Sequence, residues 1–431
     1  MSQLSLEPLH RFHSYCARFP SEIVEFALER YTQPGDSVFD PFCGSGTTLV
    51  AGLAHKRRVI GSDIDTLAGM LSEVKCAPLA PERYAAWRAP FIARLASDFE
   101  AIARAWKRRP RPHPGTIWSI ESLRLWVPEF PELTYWFPPQ VIAALGAIAA
   151  AAHACQDAHL ERVALISLSA SIIAKWPHTL SYAMDIDHTR PHRRVQRLTL
   201  HRVLTTYIKR LDRTLACLGR LHAIYRDAGV LDALASRCQV IYPHDAREPL
   251  PLIPDQSQAL VITSPPYFNA VDYPRAHRMS LCWMNGYAPT ALASRQRYVG
   301  LRYAGRFDPD AWLQARPKVG HLIPTLLFDH AARVKRLCAF FADLEAALVQ
   351  VWRVLRPGGH ALLVIANNVI KGKRILSHAV LVELAKEIGF VGIETTPRAI
   401  ASPHRRFPVG AFGFDGPMTH EYLVILRKPY R

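Results

Sequence analysis

Ser37-Val38-Phe39-Asp40-Pro41-Phe42-Cys43-Gly44-Ser45-Gly46-Thr47-Thr48 is the stretch on which the fold depends. Its first three residues favour a strand that ends at Asp40, and the small residues and two glycines after it make a tight turn. A small-residue helical pattern runs from Thr48 to Leu53, and Val59-Ile60-Gly61 is a second strand followed by Asp63 and Asp65. Two strands joined by a helix over about 30 residues are a βαβ unit, which implies a parallel sheet with right-handed crossovers.

The same alternation returns after about residue 236. Val240-Ile241-Tyr242, Ala259-Leu260-Val261-Ile262, Ala361 to Ala366, a segment near 389–394 and Tyr422 to Leu426 read as strands. Phe340 to Leu355 is an amphipathic helix closed by the turn Arg356-Pro357-Gly358-Gly359, and 377–388 is another helix. From Pro81 to about Ser236 strands vanish and alanine- and arginine-rich helices are expected, with Val141 to Lys175 interrupted near Gln156-Asp157. The expected fold class is therefore α/β. One sheet domain is built from 1–80 and 236–431, and a mainly helical insertion spans 81–235. No internal repeat or long low-complexity run is present.

The charge balance is lopsided, with 53 Lys plus Arg against 36 Asp plus Glu in 431 residues, a formal net charge of +17. That excess points to a polyanion or an acidic membrane surface as partner. The segment from His188 to Arg226 holds ten Arg or Lys and the single acid Asp212. Arg190, Arg193, Arg194, Arg197 and Arg202 are its densest part. They suit phosphate contacts that supply affinity and register without reading sequence. The alternative is a solvated helix that buries Leu198, Val203, Leu204 and Leu211, and one helix can do both. Lys107 to Arg111 reads as a solvated loop, and Ser402-Pro403-His404-Arg405-Arg406 could also touch a polyanion.

The longest mainly apolar stretch, Val141 to Cys155, falls short of the roughly 18–20 residues that span a bilayer. Met1-Ser2-Gln3-Leu4 opens no secretion signal. The cysteines at 16, 43, 76, 155, 217, 238, 282 and 338 form no C-x-x-C pair. A soluble protein in a reducing, intracellular setting is expected, with no membrane partner and no metal site.

Glycines at 44 and 46 let the backbone turn sharply and a ligand approach it, while the helix start favours an anionic group. A P-loop is excluded because its lysine is missing, and a dinucleotide fingerprint fits poorly because Leu49 stands at its third glycine. A purely structural turn is the alternative. Asp63, about 20 residues on, is placed to accept hydrogen bonds from ribose hydroxyls, and the pair favours a nucleoside-containing ligand. Thr263-Ser264-Pro265-Pro266-Tyr267 follows the buried run 259–262. Two prolines stiffen this turn and remove two N–H donors. Ser264 and the Pro265 carbonyl can accept from a planar amine while Tyr267 stacks on its ring. A proline-terminated strand with a packed tyrosine is the bland alternative.

D-P-F-C-G-S-G-T-T with the later S-P-P-Y resembles the amino-group DNA methyltransferases that use S-adenosyl-L-methionine, specifically those acting on N4 of cytosine. The resemblance implies a Rossmann-like class I methyltransferase sheet. It assigns Asp40, Pro41, Phe42, Gly44, Gly46 and Thr47 to the methionine part of the cofactor and Asp63 to the ribose. Ser264, Pro265, Pro266 and Tyr267 inherit the catalytic role. His13-Ser14-Tyr15-Cys16-Ala17-Arg18-Phe19-Pro20 is similar to the family segment that closes over the cofactor, which brings in Tyr15 and Phe19. His244-Asp245-Ala246-Arg247 is similar to the segment whose acid, here Asp245, lies near the adenine. Phe268-Asn269-Ala270-Val271-Asp272-Tyr273 extends the S-P-P-Y motif, and Asp272 could help hold the base or the turn. The insertion at 81–235 falls between the second strand and Asp245, whereas the family's common orders place target recognition elsewhere.

The expected substrate is double-stranded DNA, with the cytosine flipped out of the stack. A bacterial or archaeal cytoplasm, and a cognate restriction endonuclease on a separate chain, would accompany that activity. Adenine-N6 methylation is the alternative within the class; RNA base methylation and a non-catalytic DNA-binding protein are weaker readings. Cys43 is read as a packing residue. His13 and His244 are read as packed or hydrogen-bonding histidines, with general-base roles as the alternative.

Overall fold

The structure is a computed structural model that describes residues 6–15, 18, 20–106, 113–130, 132–174, 178–183, 198–268, 272–284, 297–300, 307–323, 331–370, 373–400 and 419–430. The chain divides into two compact units. A sheet unit comprises Arg18–Gly69, Ala233–Val271 and Ser294–Arg431, and a helical unit comprises Met1–Ala17, Met70–Asp232 and Asp272–Ala293.

The sheet has seven strands: β1 (Ser37–Asp40), β2 (Arg58–Ser62), β3 (Cys238–Ile241), β4 (Gln258–Thr263), β5 (Leu355–Ala366), β6 (Val391–Ala399) and β7 (His420–Arg427). Their order is β6-β7-β5-β4-β1-β2-β3. The pairs among β3, β2, β1, β4 and β5 are parallel, and β7 runs antiparallel to both β5 and β6. From β1 the chain steps outward to β2 and β3, then returns to lay β4 on the other side. That reversal opens a crevice at the carboxyl ends of β1 and β4, where ligands gather in sheets of this kind. The architecture is α/β with a largely parallel, Rossmann-like sheet, the fold class that the sequence implies.

The helices of eight or more residues are α1 (Ser21–Tyr31), α2 (Thr47–Ala54), α3 (Thr66–Cys76), α4 (Pro81–Ala105), α5 (Pro139–His153), α6 (Ala158–Ile172), α7 (Leu200–Asp227), α8 (Tyr273–Leu281), α9 (Ala331–Val354) and α10 (Ser377–Ile388). In the sheet unit, β4 is buried at every position. An apolar run covered on both faces is the mark of a central parallel strand. Val261 and Leu363 pack with Phe340, Phe341 and Leu344 of α9 and Leu381 of α10. Arg57, just before β2, is buried and donates to the Leu28 and Thr32 carbonyls at 3.0 and 2.9 Å, to Thr32 Oγ1 at 3.0 Å, and to the His55 carbonyl. One guanidinium thereby satisfies the open carboxyl end of α1 and fixes it beside the sheet.

In the helical unit the interruption read near Gln156-Asp157 is a helix start. Asp157 accepts from the His159 and Leu160 amides and caps α6. α7 buries Val203, Tyr207, Leu211 and Leu221 on one face. Leu198 is buried with them and Leu204 is only half-buried.

Three local expectations are corrected. Strands do not vanish between 81 and 236: Ile117–Ile120 and Leu123–Trp126 form an antiparallel hairpin. Only Ile120 and Leu125 of its eight residues are fully buried, so the alternating pattern that announces a strand is faint. The helical pattern read to Lys175 ends at Ile172. Arg356-Pro357-Gly358-Gly359 lies inside β5 as an irregular start, with Gly358 at φ +76° and the ladder shifting register opposite Gln258 and Leu260.

Arg57→Ala removes four hydrogen bonds and takes from the Thr32 carbonyl its bond to the guanidinium, while the Leu28 carbonyl keeps the Thr32 amide and hydroxyl; a buried group left without a donor costs about 1–3 kcal/mol. The expected result is a loss of stability of at least about 2 kcal/mol, read as a lower urea midpoint, whereas Arg58→Ala next to it, on an exposed side chain, changes little.

Candidate active site

The site grows from the carboxyl ends of β1 and β4, side by side in the sheet with Val38 opposite Leu260 and Phe39 opposite Val261. Asp40 closes β1 with no exposure at all. Its Oδ1 accepts from the Thr263 hydroxyl of β4 at 2.6 Å and from the Phe42 amide at 3.1 Å. Its Oδ2 is buried with no partner among the described residues. Burial pushes this carboxyl up to about 6 against the hydrogen bonds from Thr263, Thr48 and Phe42. An acid held in this way has one oxygen committed to the fold and one left for an incoming donor.

The glycine turn is shaped by backbone that only glycine adopts freely, with φ +52° at Gly44 and +81° at Gly46. Gly46 is the N-cap of α2, and no side chain caps this helix. Phe42 packs half-buried on the core, and Thr47 is buried in the first turn of α2. Cys43 is buried, and a Cβ built on Gly61 would lie 3.0 Å from its Cβ. The thiol position is tight packing, as the sequence suggests.

Asp63 follows β2 and spends both oxygens on the turn: Oδ2 accepts the Gly44 amide at 2.8 Å and Oδ1 the Asp65 amide at 2.9 Å. Burial, and the neighbouring Asp65 after it, push the Asp63 carboxyl up to about 7. Asp65 accepts from the Leu67 and Ala68 amides and starts α3.

In the proline turn Pro265 is buried and Ser264, Pro266 and Tyr267 are half-buried. Ser264 Oγ lies 3.2 Å from the Val364 carbonyl of β5 and 3.4 Å from the Tyr267 hydroxyl. The Tyr267 hydroxyl donates to Glu421 Oε1 of β7 at 3.4 Å, and Glu421 Oε2 accepts from Arg398 of β6 at 3.1 Å. Burial, then the nearby Glu421 carboxylate, raise the Tyr267 phenol well above its ordinary value.

The sheet unit thus brings together Asp40, Pro41, Phe42, Gly44, Gly46, Thr47, Asp63, Ser264, Pro265, Pro266 and Tyr267 at one edge of the sheet. Asp245 belongs to the same unit with its carboxylate already engaged. Arg247 contacts its two oxygens at 2.9 and 2.6 Å and reaches Asp343 at 2.6 Å. Against the cost of burial, those Arg247 contacts hold Asp245 below the usual carboxylate range. His244 donates its amide to the Asp63 carbonyl at 2.9 Å, and burial lowers its imidazole.

Tyr15, His13, Asp272 and Arg202 lie in the helical unit. Tyr15 stacks on Tyr273 and lies tilted against His277, with ring centroids 6.0 and 5.2 Å apart. His13 is buried beside Ser169 Oγ at 2.8 Å, and burial holds it well below its ordinary value. That is the packed histidine read from the sequence. Asp272 is the N-cap of α8, accepting from the Arg275 amide. Arg202 sits in the first turn of α7, whose N-cap is Thr199. Phe19, Arg190, Arg193, Arg194, Arg197 and the segments 107–111, 269–271 and 402–406 lie outside the described residues.

Sequence reasoning missed Thr263, Glu421 and Arg398. Thr263 carries a faint signal, a hydroxyl directly before the proline turn. Glu421 and Arg398 carry none, because only strand pairing brings them to the turn.

With that geometry in hand, residues 3–68 match a family model described as DNA methylase. Type II methyltransferase M.MvaI of Kocuria varians is 24% identical over 446 residues, covering 98% of this chain and 91% of that protein. Type II methyltransferase M.MjaII of Methanocaldococcus jannaschii is 40% identical over 67 residues, 16% of this chain and 13% of that one. Among solved structures, TTHA0409 of Thermus thermophilus, provisionally assigned as a DNA modification methylase and complexed with S-adenosyl-L-methionine, aligns at 22% identity and TM-score 0.23. That alignment covers 43% of this chain and about half (54%) of that one. Along nearly its whole length the chain is similar to a type II methyltransferase, and its residues 3–68 are similar to DNA methylases.

Asp63 makes a pH prediction with a definite sign. Its carboxyl is raised from 3.8 to about 7, so the folded state holds a proton that the unfolded state has lost between those values. Its contribution to stability is fully present below about pH 4 and is lost as pH rises through about 7. Thermal melts across that window are expected to show a fall in the wild type that is shallower in Asp63→Asn; equal slopes would disprove the raised carboxyl.

Proposed function

We propose that this chain is a site-specific DNA methyltransferase that moves a methyl group from S-adenosyl-L-methionine to the exocyclic N4 of a cytosine flipped out of double-stranded DNA. The observation that carries the reading is the 2.6 Å bond from Thr263 to Asp40. It joins the glycine turn and the proline turn at adjacent strand ends, so cofactor and amine meet across one hydrogen bond.

The residues suit the cofactor. The free Asp40 Oδ2 is a buried acceptor of the kind an α-amino group needs, and the side-chain-uncapped start of α2 suits a carboxylate. Asp63, at the end of β2, stands where ribose hydroxyls are bound in sheets of this kind. Tyr15 and Phe19 are proposed to close over the cofactor and Asp245 to lie near its adenine. When bound, S-adenosyl-L-methionine supplies an electrophilic methyl on a sulfonium.

The chain's own groups then prepare the nucleophile. Cytosine N4 is a poor one because its lone pair is delocalised into the ring. A Ser264 hydroxyl that donates to the Val364 carbonyl keeps its lone pairs for the amine, and the Pro265 carbonyl is a second acceptor. Two acceptors favour a pyramidal nitrogen whose lone pair faces the methyl, which is catalysis by orientation and electrostatics. Tyr267 offers a ring face on which the flipped base stacks. Ser264, where adenine enzymes of this class mostly carry Asp or Asn, supports cytosine over adenine.

Catalysis is assigned to 1–80 and 236–431, and DNA contact with target recognition to 81–235. The net +17 and the arginines at 190, 193, 194, 197 and 202 support a DNA partner. A type II homologue supports a restriction-modification setting in the cytoplasm, with a cognate endonuclease on a separate chain.

Incubation with labelled cofactor and mixed-sequence duplex DNA, followed by nucleoside mass spectrometry, is expected to give N4-methylcytosine; N6-methyladenine alone would overturn the base assignment. Ser264→Ala and Tyr267→Ala are expected to lose on the order of 10²-fold or more in kcat, and full transfer by either would sink the mechanism. Replacing the five arginines by alanine should weaken binding to duplexes of any sequence. The slope of log affinity against log salt should then fall by about 0.9 for each phosphate that the variant no longer neutralises.

A further inference from the structure

We infer that Glu421 is a positioning residue for Tyr267: its carboxylate, clamped by Arg398, anchors the phenol hydroxyl and so fixes where the ring that receives the base stands. The inference rests on the methyl-transfer reading above and adds a residue that none of the motifs contains.

The topology makes the contact. β7 runs against the other strands, so its first residues stand at the edge where β4 and β5 end. Glu421 is opposite Ala366 at the end of β5 and opposite Arg398 near the end of β6. β6, the edge strand, thus delivers its cation to the same place. The polar chain spans the ends of four strands: the Tyr267 hydroxyl donates to Glu421 Oε1 at 3.4 Å and Arg398 donates to Glu421 Oε2 at 3.1 Å, with Ser264 Oγ 3.4 Å from the phenol oxygen.

A bland account would make Glu421 one more surface ion pair. Its side chain is 15% exposed, against 38% for Arg398, so the carboxylate is the sheltered member. Burial raises its carboxyl, opposed by Arg398 and the Tyr267 hydroxyl. The start of β7 is braced from the opposite face as well. Tyr422 points the other way, as successive strand residues do, and stacks on His378 at 3.8 Å and 5°. His378 in turn contacts Asn367 Oδ1 through Nδ1 at 2.7 Å. Two adjacent residues are therefore held on two faces, which gives Glu421 a fixed base from which to hold a ring.

A stacking tyrosine swings about its Cα–Cβ bond, which carries the far end of the ring through an arc; its apolar neighbours in the core pack against the ring. A hydrogen bond at the hydroxyl holds that far end in one place. The 3.4 Å bond to Glu421 is long, and catalytic contacts commonly tighten once substrate is in place.

The test is a double-mutant cycle on the full chain with labelled S-adenosyl-L-methionine and mixed-sequence duplex DNA, reading kcat and KM for each substrate. Tyr267→Phe keeps the ring and removes the hydroxyl; Glu421→Leu fills the space and accepts nothing; Glu421→Gln keeps an acceptor. Tyr267→Phe and Glu421→Leu are each expected to lower kcat about tenfold, the worth of one hydrogen bond, with KM for the cofactor unchanged. The double variant is expected to be no slower than either single one, and Glu421→Gln to recover most of the loss. Wild-type kcat in Tyr267→Phe overturns the inference whether or not Glu421→Leu folds, and so do losses that multiply in the double variant. Absence of methyl transfer by the wild-type chain overturns the methyltransferase reading, and the positioning role with it.

Discussion

A threonine hydroxyl 2.6 Å from a fully buried carboxylate is the contact on which the site depends. Asp40 ends β1 where the sheet reverses, and Thr263 ends β4 beside it. A carboxyl with no exposure is costly to keep charged, and a carboxyl up to about 6 records that cost. The Thr263 and Thr48 hydroxyls and the Phe42 amide offset part of it, with the Thr263 and Phe42 bonds both on Oδ1. The same bond holds two turns of different chemistry in register, because neither turn can move outward without breaking it. The fold thereby keeps a polar group partly unsatisfied at the point where a ligand can complete it, a common way for a stable scaffold to store binding capacity.

The acids after neighbouring strands divide by what faces them. Asp40 and Asp63 see backbone amides and hydroxyls, and burial raises both. Asp245 sees the Arg247 guanidinium across two contacts and is lowered. Arg247 also holds Asp343 of α9, so the three groups form an internal ion triad that ties the segment after β3 to α9. One turn type at one sheet edge thus yields acids with opposite tendencies, set by whether the nearest donor carries a charge.

Much of this was legible in the sequence. The β1 turn, the strand ending at Thr263 and the helix 377–388 are strong because alternation, glycine and proline each act over a few residues. Asp157 was visible as a break, and the structure shows a cap, since a helix-starting acid and a helix interruption look alike along one dimension. The hairpin 117–126 was not legible, because a strand pair with one buried side chain per strand lacks the apolar period that signals burial. Glu421 and Arg398 were invisible for a different reason. Their meaning comes from antiparallel pairing between residues 23 apart in the chain, and nothing local distinguishes that glutamate from a solvated one.

The charge of α7 has a physical logic of its own. Its lone acid within the basic segment, Asp212, is bound by Arg88 through two contacts, one of them at 2.8 Å, and is not free to neutralise its neighbours. Arg210 and Arg213 lie one turn apart on the same helix, and burial together with that neighbouring charge lowers Arg210. Like charges at this spacing destabilise a helix by a few tenths of a kcal/mol per pair. Such repulsion is carried at no benefit unless an external anion relieves it. A phosphate backbone brought near would do so, since each phosphate releases its own counterions and removes repulsion within the helix at once. The apolar face of α7 keeps the helix in place without help from those charges, which leaves them available for a polyanion.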